Sequence, residues 1–318
     1  GAFRGRGGDR RGRAILSMRR TILFTWFLLT LAACPVDPAS SCTLWTAIGS
    51  DEQTRRVTFL AKNRDWTPDH HQELRLVRSD KGYDYFGLLA VGGAEPGLKA
   101  GINRQGLSIV SASASSIPRS QRAIAPGERG LMRRLLASCA SVDELRQAGH
   151  LFARARPMFL LAADSRQTLV VEIGRNGEYR LDAPHGEFSA HANHFLNPEL
   201  AGNNSRIGSS SKQRLATITR LLSSAPRPMS LADMVAMSED RTHGPDNSLL
   251  RTGTHTSDER TLATWIVALP DHGAPVLYVK LRNPGDEERA ATFHLDQAFW
   301  ESAAISGIAS SSGRAITD

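Results

Sequence analysis

The sequence has few of the features that stabilise small secreted domains or anchor a chain in a membrane. Its 318 residues include only three cysteines, Cys34, Cys42 and Cys139, too few for a disulfide framework. The longest apolar run, residues 21–33, has about 13 residues, whereas a membrane-spanning helix needs about 20. We therefore expect no permanent membrane span and interpret cysteine here as a catalytic or packing residue.

A strong excess of one charge is also missing from most of the chain. The formal net charge is +7, but residues 1–41 hold seven arginines against two aspartates, so the remainder is nearly neutral. No nucleic-acid partner is expected for a body of this charge. The hydrophobic content of 41% over this length is sufficient for a full core, which excludes disorder throughout.

Residues 1–41 have the composition of a leader for export. A positive start at residues 18–20 precedes the apolar run 21–33, and prolines follow it, as in a signal peptide. Small residues just before Cys42 predict a signal-peptidase site, whereas a lipobox-like pattern ending at Cys34 predicts a lipid on that cysteine. Both alternatives indicate a periplasmic or secreted protein.

The body, residues 42–300, is predicted to be one domain, and residues 301–318 a flexible tail. Alternating or short apolar runs indicate antiparallel strands, whereas apolar spacing of three and four indicates helices. The resulting arrangement predicts an α+β layered fold. Predicted strands lie at 42–49, 55–62, within 101–112, and at 158–163, 168–173, 178–181, 261–269 and 275–281; predicted helices lie at 130–138, from 141, and at 211–222 and 231–237; residues 80–97 and 113–127 are predicted loops.

The first predicted hairpin brings charged residues to Cys42. With a turn centred near residue 52, antiparallel pairing places Cys42 opposite residues 62–63, so Lys62 and Asp65 lie beside it. If processing makes Cys42 the first residue, its own α-amino group, with an ordinary pKa of about 8, becomes a built-in base. A cation at Lys62 would favour the thiolate, and Asp65 could orient the amine by a hydrogen bond.

Seven short motifs occur along the body, and their order resembles that of a known family. They are Cys42-Thr43, Lys62-Asn-Arg-Asp-Trp66, Gly101-Ile-Asn-Arg-Gln-Gly-Leu107, Phe159-Leu-Leu-Ala-Ala-Asp164, Val171-Glu172, Ala192-Asn-His194 and Ser211-Lys-Gln-Arg214. In this order they resemble the choloylglycine hydrolase and penicillin V acylase family, with its acyl-coenzyme A:isopenicillin N acyltransferase relatives, in the N-terminal nucleophile hydrolase superfamily. The resemblance implies a four-layer αββα sandwich.

The resemblance also implies a role for four residues. Cys42 matches the nucleophile, and Asp65 matches the residue that holds its amino group. Asn193 matches the asparagine that stabilises the tetrahedral oxyanion, a donor typically worth about 3 kcal/mol of barrier. Arg214 matches a late arginine that supports the site.

Two positions depart from the bile-acid branch of that family. Lys62 stands where those enzymes carry arginine, which keeps a cation but loses the planar fork of donors. Ser113 stands where they place a second oxyanion asparagine, and its side chain is a shorter donor. Backbone N–H groups would then complete the oxyanion site.

The expected activity is cleavage of a linear amide C–N bond through a thioester on Cys42. Substrate classes implied by the resemblance are N-acyl amino acids or bile-acid conjugates, phenoxyacetyl penicillins and acyl-homoserine lactones. The alternatives are an acyltransferase of the same fold, a non-catalytic exported lipoprotein anchored at Cys34, and a Cys-His hydrolase with His194 as base.

The expected partner is therefore a small-molecule acyl amide, with no cofactor. No metal is expected either, because His70, His71, His191 and His194 are not completed by carboxylates or cysteines at ligand spacing. The family often forms tetramers, so a homo-oligomer is a further expectation from the resemblance.

Overall fold

A computed structural model describes most of the body of the chain. The predicted leader, with Cys34 and its cleavage sites, lies outside the described residues apart from Ser41, and so does the predicted tail from residue 303. Within the described part, no helix is both long and apolar enough to cross a membrane. The described residues are 41–50, 56–93, 95–125, 127–184 and 186–302.

Thirteen strands in the described residues form two antiparallel sheets. The first sheet has the order β10-β1-β2-β11-β12-β13, and the second the order β3-β4-β5-β6-β7-β8-β9. The strands are β1 Cys42–Gly49, β2 Val57–Trp66, β3 His71–Val77, β4 Tyr85–Val91, β5 Gly97–Asn103, β6 Ser108–Ser113, β7 Met158–Ala163, β8 Thr168–Ile173, β9 Tyr179–Asp182, β10 Phe188–His191, β11 Arg260–Pro270, β12 Val276–Leu281 and β13 Arg289–His294.

Helices cover the outer face of each sheet. Helix α2 packs on β5 and β6, whereas α5 packs on β1 and β10, and α6 packs on β2 and β11. The helices are α1 Arg119–Ile124, α2 Leu131–Ser138, α3 Val142–Gln147, α4 Gly149–Phe152, α5 Ser209–Ser224, α6 Leu231–Ser238, α7 Gly244–Asn247 and α8 Gln297–Glu301.

Three separate apolar cores confirm the predicted four-layer αββα sandwich. One core lies between the two sheets and includes Leu44 and Phe86. A second joins the β3–β9 sheet to its helices through residues such as Leu135. A third joins the other sheet to α5 and α6 and includes Trp45 and Ile218.

The β1–β2 hairpin forms as predicted, but its register differs from the prediction. Cys42 pairs with Arg64, and Leu44 pairs with Lys62. When the centre of the turn moves by one residue, the partner of every residue in the hairpin changes by two positions. Lys62 therefore stays on the same face of the sheet as Cys42, but Arg64 is the residue directly opposite Cys42. The predicted pairing of Cys42 with residues 62–63 is therefore wrong.

Two segments predicted as loops contain regular structure. Residues 80–97 include the buried strand β4, Tyr85–Val91, whose short continuous apolar run carries no alternation signal. Residues 113–127 include the short helix α1, Arg119–Ile124, which begins directly after Pro118.

Candidate active site

The main chain of Cys42, at the start of β1, is held by two distant side chains. Its N–H donates to Oδ1 of Asn193 at 2.9 Å, and its carbonyl accepts from Nη1 of Arg214 at 2.7 Å. Arg214 also donates to Oγ1 of Thr43 at 2.7 Å and to Oδ1 of Asn193 at 3.0 Å. The structure thus brings three of the predicted site residues into one hydrogen-bonded group.

Asp65 lies next to this group, and its main-chain carbonyl accepts from the Cys42 thiol at 3.9 Å. Its carboxylate makes no hydrogen bond to Cys42 in the chain with Ser41 still attached. Its side chain is fully buried, and Oδ1 accepts from the Thr261 hydroxyl at 2.7 Å. Oδ2 accepts no hydrogen bond from any described residue and lies 3.9 Å from Nη1 of Arg214. Burial raises the pKa of Asp65 to about 6, although Arg214 and Arg251 oppose the shift. An unsatisfied carboxylate oxygen is a natural acceptor for an ammonium group.

Lys62 points from β2 into the space between the sheets. Its Nζ donates to the carbonyl of Lys99 at 3.2 Å and to that of Ser111. Burial lowers the pKa of Lys62 to about 8, while the Cys42 thiol acts in the opposite direction. Lys62 is therefore a buried amine, close to Cys42, whose charge changes near neutral pH.

Arg64, which sequence analysis missed as a site residue, lies beside the sulphur of Cys42. Its Nη1 is 3.9 Å from Sγ of Cys42 and donates to the Asp65 carbonyl at 2.8 Å. The guanidinium stacks at 4.5 Å over the Trp66 ring. Its Nη2 is 3.1 Å from Nε2 of His70. The available signal was strand alternation, because residues 62 and 64 share one face of β2.

The side-chain amide of Asn193 has a defined orientation. Its Oδ1 faces two donors, the Cys42 N–H and the Arg214 guanidinium, and its Nδ2 donates to the carbonyl of Ser113 at 3.0 Å. Ser113 therefore contacts the site through its carbonyl oxygen. The expectation that the Ser113 side chain takes the place of an oxyanion asparagine stays a prediction.

His194 is held away from a base role by Ser211. The Asn193 N–H donates to the Ser211 hydroxyl at 2.9 Å, and Nδ1 of His194 lies 2.8 Å from the same oxygen. Burial lowers the pKa of His194 to about 4. A neutral histidine that engages this serine supports the loop of Asn193.

A buried pair connects this loop to the second sheet. Nε2 of His191 lies 3.0 Å from Oε1 of Glu172, and both side chains are buried. Oε1 of Glu172 also accepts from the N–H of Leu196 at 2.8 Å. The contact spans from β8 to β10, so it fixes both ends of the loop that carries Asn193.

These features define the class of protein. Two antiparallel sheets between helical layers form the fold of the N-terminal nucleophile hydrolases. The chain belongs to the acyl-coenzyme A:6-aminopenicillanic acid acyl-transferase family, whose model matches residues 51–286. The matched region contains Lys62, Asp65, Asn193 and Arg214 and begins after Cys42.

Three solved structures are similar to this chain at low sequence identity, one of them with a TM-score above 0.5. A point variant of the conjugated bile acid hydrolase from Clostridium perfringens has a TM-score of 0.51 and 11% identity, over 86% of this chain and 99% of that one. A second variant of that enzyme has a TM-score of 0.47 and 11% identity, over 78% and 92%. The Caenorhabditis elegans orthologue of N-acylethanolamine-hydrolyzing acid amidase has a TM-score of 0.43 and 14% identity, over 72% and 94%. No curated protein sequence matches the chain significantly.

Family membership supports an enzyme of the acyl-transferase type, and the fold agrees with it.

Proposed function

We propose that this protein is an exported amide hydrolase whose nucleophile is the thiol of Cys42, freed as the first residue by cleavage of the Ser41–Cys42 bond. Its substrate is an N-acyl compound with a linear amide bond. The reaction proceeds through a thioester on Cys42.

The observation that carries this proposal is the pair of side-chain hydrogen bonds to the main chain of Cys42. Asn193 binds its nitrogen, Arg214 binds its carbonyl, and the unsatisfied Oδ2 of Asp65 is ion-paired with the same arginine. Every buried main-chain N–H needs an acceptor, but for Cys42 the acceptor is a side chain 151 residues away in the sequence. This contact fixes the nitrogen of Cys42 relative to its thiol, as an α-amino group that acts as a base requires.

The reaction then follows from the residues in place. The α-amino group takes the thiol proton, and Sγ bonds to the acyl carbon. The oxyanion that forms is stabilised near Asn193, whose Nδ2 is the donor end of the amide. The C–N bond breaks as the α-ammonium protonates the departing amine, and water then cleaves the thioester, releasing the acid.

Acyl transfer is the second candidate, and the family match favours it specifically. In that reaction an amine intercepts the thioester before water does, so the same residues serve both outcomes. Partition of the product between acid and new amide, measured with rising concentrations of an added amine, distinguishes the two.

Export is proposed from the leader pattern in residues 18–41 alone. Cleavage before Cys42 would release the body into the periplasm or medium. Lipid attachment at Cys34 would instead anchor a protein in which Cys42 is internal.

The test is the intact mass of protein expressed from Met18 in a secreting bacterial host, with Cys42→Ala as the matched variant. We expect a wild-type mass that begins at Cys42 and hydrolysis of at least one N-acyl substrate in a panel of amides. Cys42→Ala should retain its upstream residues if cleavage is autocatalytic, and it should be inactive in either case. A mass that begins at a lipidated Cys34, with Cys42 internal, would sink the proposal in favour of a binding lipoprotein.

A further inference from the structure

The geometry points to Arg64 as an anion-binding residue beside the nucleophile, so that the substrate amide carries a carboxylate within a few bonds of the scissile carbonyl. This inference rests on the proposed function, because it names the substrate class of the same site.

The first observation is a buried guanidinium without an acid. Arg64 is 2% exposed, and no carboxylate in the described part of the chain forms an ion pair with it. Its Nη1 donates to the Asp65 carbonyl and to Sγ of Cys42, and its Nε is buried without a hydrogen-bond partner among the described residues. Burial of a charge with no counter-charge costs several kcal/mol unless a ligand or another group compensates it.

The second observation is that the guanidinium is fixed in place. The Trp66 ring supports one face at 4.5 Å, and His70 lies at its Nη2 edge. Nδ1 of His70 lies 2.7 Å from a carboxylate oxygen of Asp69. The ring therefore donates a hydrogen bond to Asp69 through Nδ1 and accepts one from Arg64 through Nε2. A group held this way loses little entropy on binding a ligand.

The third observation is an excess of positive charge on the same face as the thiol. Lys62 and half-buried Lys99 both lie close enough to Arg64 and Cys42 for their charges to interact, and one acid, Glu95, also acts on Lys99. Asp65, the acid next in sequence, points toward Arg214 on the helix side of the sheet. The inter-sheet side of Cys42 is therefore suited to an anion.

The distance sets which anion fits. Nη1 of Arg64 is 3.9 Å from Sγ, so a carboxylate that it binds must lie within a few bonds of the carbon under attack. The α-carboxylate of an N-acyl amino acid is three bonds from the acyl carbon and meets this condition. Amides of simple amines or alcohol-bearing amines offer no such group.

The test compares two alkylating reagents that differ only in the anion. Iodoacetate carries a carboxylate next to its reactive carbon, and iodoacetamide is its neutral analogue. Alkylation of Cys42 in the processed protein is followed by peptide mass, which separates it from Cys139. For each protein, the rate with iodoacetate is divided by the rate with iodoacetamide, and the result is divided by the same quotient for a cysteine-containing peptide. A change in the reactivity of the thiol affects both reagents, so it cancels in this normalised ratio.

We expect the normalised ratio to favour iodoacetate by about 10-fold or more, as a charge-assisted hydrogen bond implies. Arg64→Met should bring the ratio close to one, and Arg64→Lys should retain part of the preference. Lys99→Met, which leaves Arg64 in place, should retain most of it. A wild-type ratio near one, or an unchanged ratio in Arg64→Met, would overturn the inference.

Turnover separates this inference from the proposed function. Wild-type protein should hydrolyse an N-acylglycine at least about 10-fold faster, in kcat/KM, than the matched N-acyl methylamine. Equal rates on the two substrates would overturn the carboxylate inference and leave the amidase intact. Failure on the whole amide panel with the iodoacetate preference preserved would sink the proposed function and support the anion site.

Discussion

Arg214 donates a hydrogen bond of 3.0 Å to Oδ1 of Asn193, and each of the two also binds the main chain of Cys42. A guanidinium has only donors, so the atom of Asn193 that faces it must be the oxygen. Arg214 thereby directs Nδ2 of the same amide to the opposite side, toward Ser113. One buried cation on α5 thus fixes the orientation of the Asn193 side-chain amide.

Arg214→Met is expected to lower the free energy of unfolding by about 3 kcal/mol or more, because it leaves the fully buried Asp65 without its counter-charge. Chemical denaturation measures the loss. Arg220→Met, at an exposed position of the same helix, is the control and should change the value by less than about 0.5 kcal/mol. Equal effects of the two substitutions would contradict a role for Arg214 at the site.

Asp65→Asn is expected to change how stability depends on pH. The pKa of Asp65 is raised from 3.8 to about 6, so the folded chain binds a proton more readily than the unfolded chain, and this contribution is lost as pH rises from about 4 to 6. Between these limits, wild-type stability should fall by roughly 2–3 kcal/mol relative to Asp65→Asn. The groups that face Asp65 are Arg214, Arg251, Glu259 and Thr261.

That comparison is best made in a Cys42→Ala background, which keeps the upstream residues attached if cleavage is autocatalytic. Urea titrations at a series of pH values give both stabilities. Parallel curves for the two proteins would show that Asp65 has an ordinary pKa in the folded chain.

Lys62→Arg is expected to remove an alkaline decline in kcat/KM near pH 8. The pKa of Lys62 is lowered to about 8, chiefly by burial, so the cation near Cys42 is lost as pH rises through that value. Arginine stays charged throughout. Arg64 and Asp65 also lie close enough to act on the charge of Lys62, and Lys99, with a pKa of about 7, is the other lysine nearby.

The measurement is the pH–rate profile from about pH 6 to 10 with an amide substrate. Lys99→Met is the control, because it removes the second lysine that titrates in this range and should leave the decline near pH 8 in place. Persistence of that decline in Lys62→Arg would assign it to another group.

Glu172→Gln is expected to loosen the loop that carries Asn193. It weakens the contact with His191 and the bond from the Leu196 N–H, with a loss of about 2 kcal/mol for a buried charged acceptor. Amide hydrogen exchange at Leu196 should accelerate, and kcat should fall more than KM rises. Glu199→Gln disrupts only an exposed pair with Arg180 and should have little effect.

Elements with local periodicity could be predicted from the sequence. The strands Met158–Ala163 and Thr168–Ile173 match the prediction at both ends, because apolar runs between turn residues define them without reference to the rest of the chain. Helix α5, Ser209–Ser224, extends the prediction by two residues at each end. The layer order followed from the antiparallel pattern together with the family resemblance.

Contacts between distant parts of the chain could not be predicted from pattern alone. Asn193 and Arg214 bind Cys42 from 151 and 172 residues away in the sequence. Local periodicity does not predict contacts over such separations, so only the family resemblance placed these two residues in the site. Arg64 was missed for a different reason. Its position depends on the register of one hairpin, which a small error in the turn centre shifts by two residues.

The side chains of strand β2 serve different roles on its two faces. Lys62 and Arg64 project toward the thiol, whereas Asn63 and Asp65 project toward α6 and α5, where Asn63 binds the carbonyl of Ser238. Neighbouring positions on this strand thus serve the thiol and the scaffold separately. A substitution at an even-numbered position changes the surroundings of the sulphur, whereas one at an odd-numbered position changes the contacts with the helices. A one-residue deletion within the strand would exchange the two sets and abolish both.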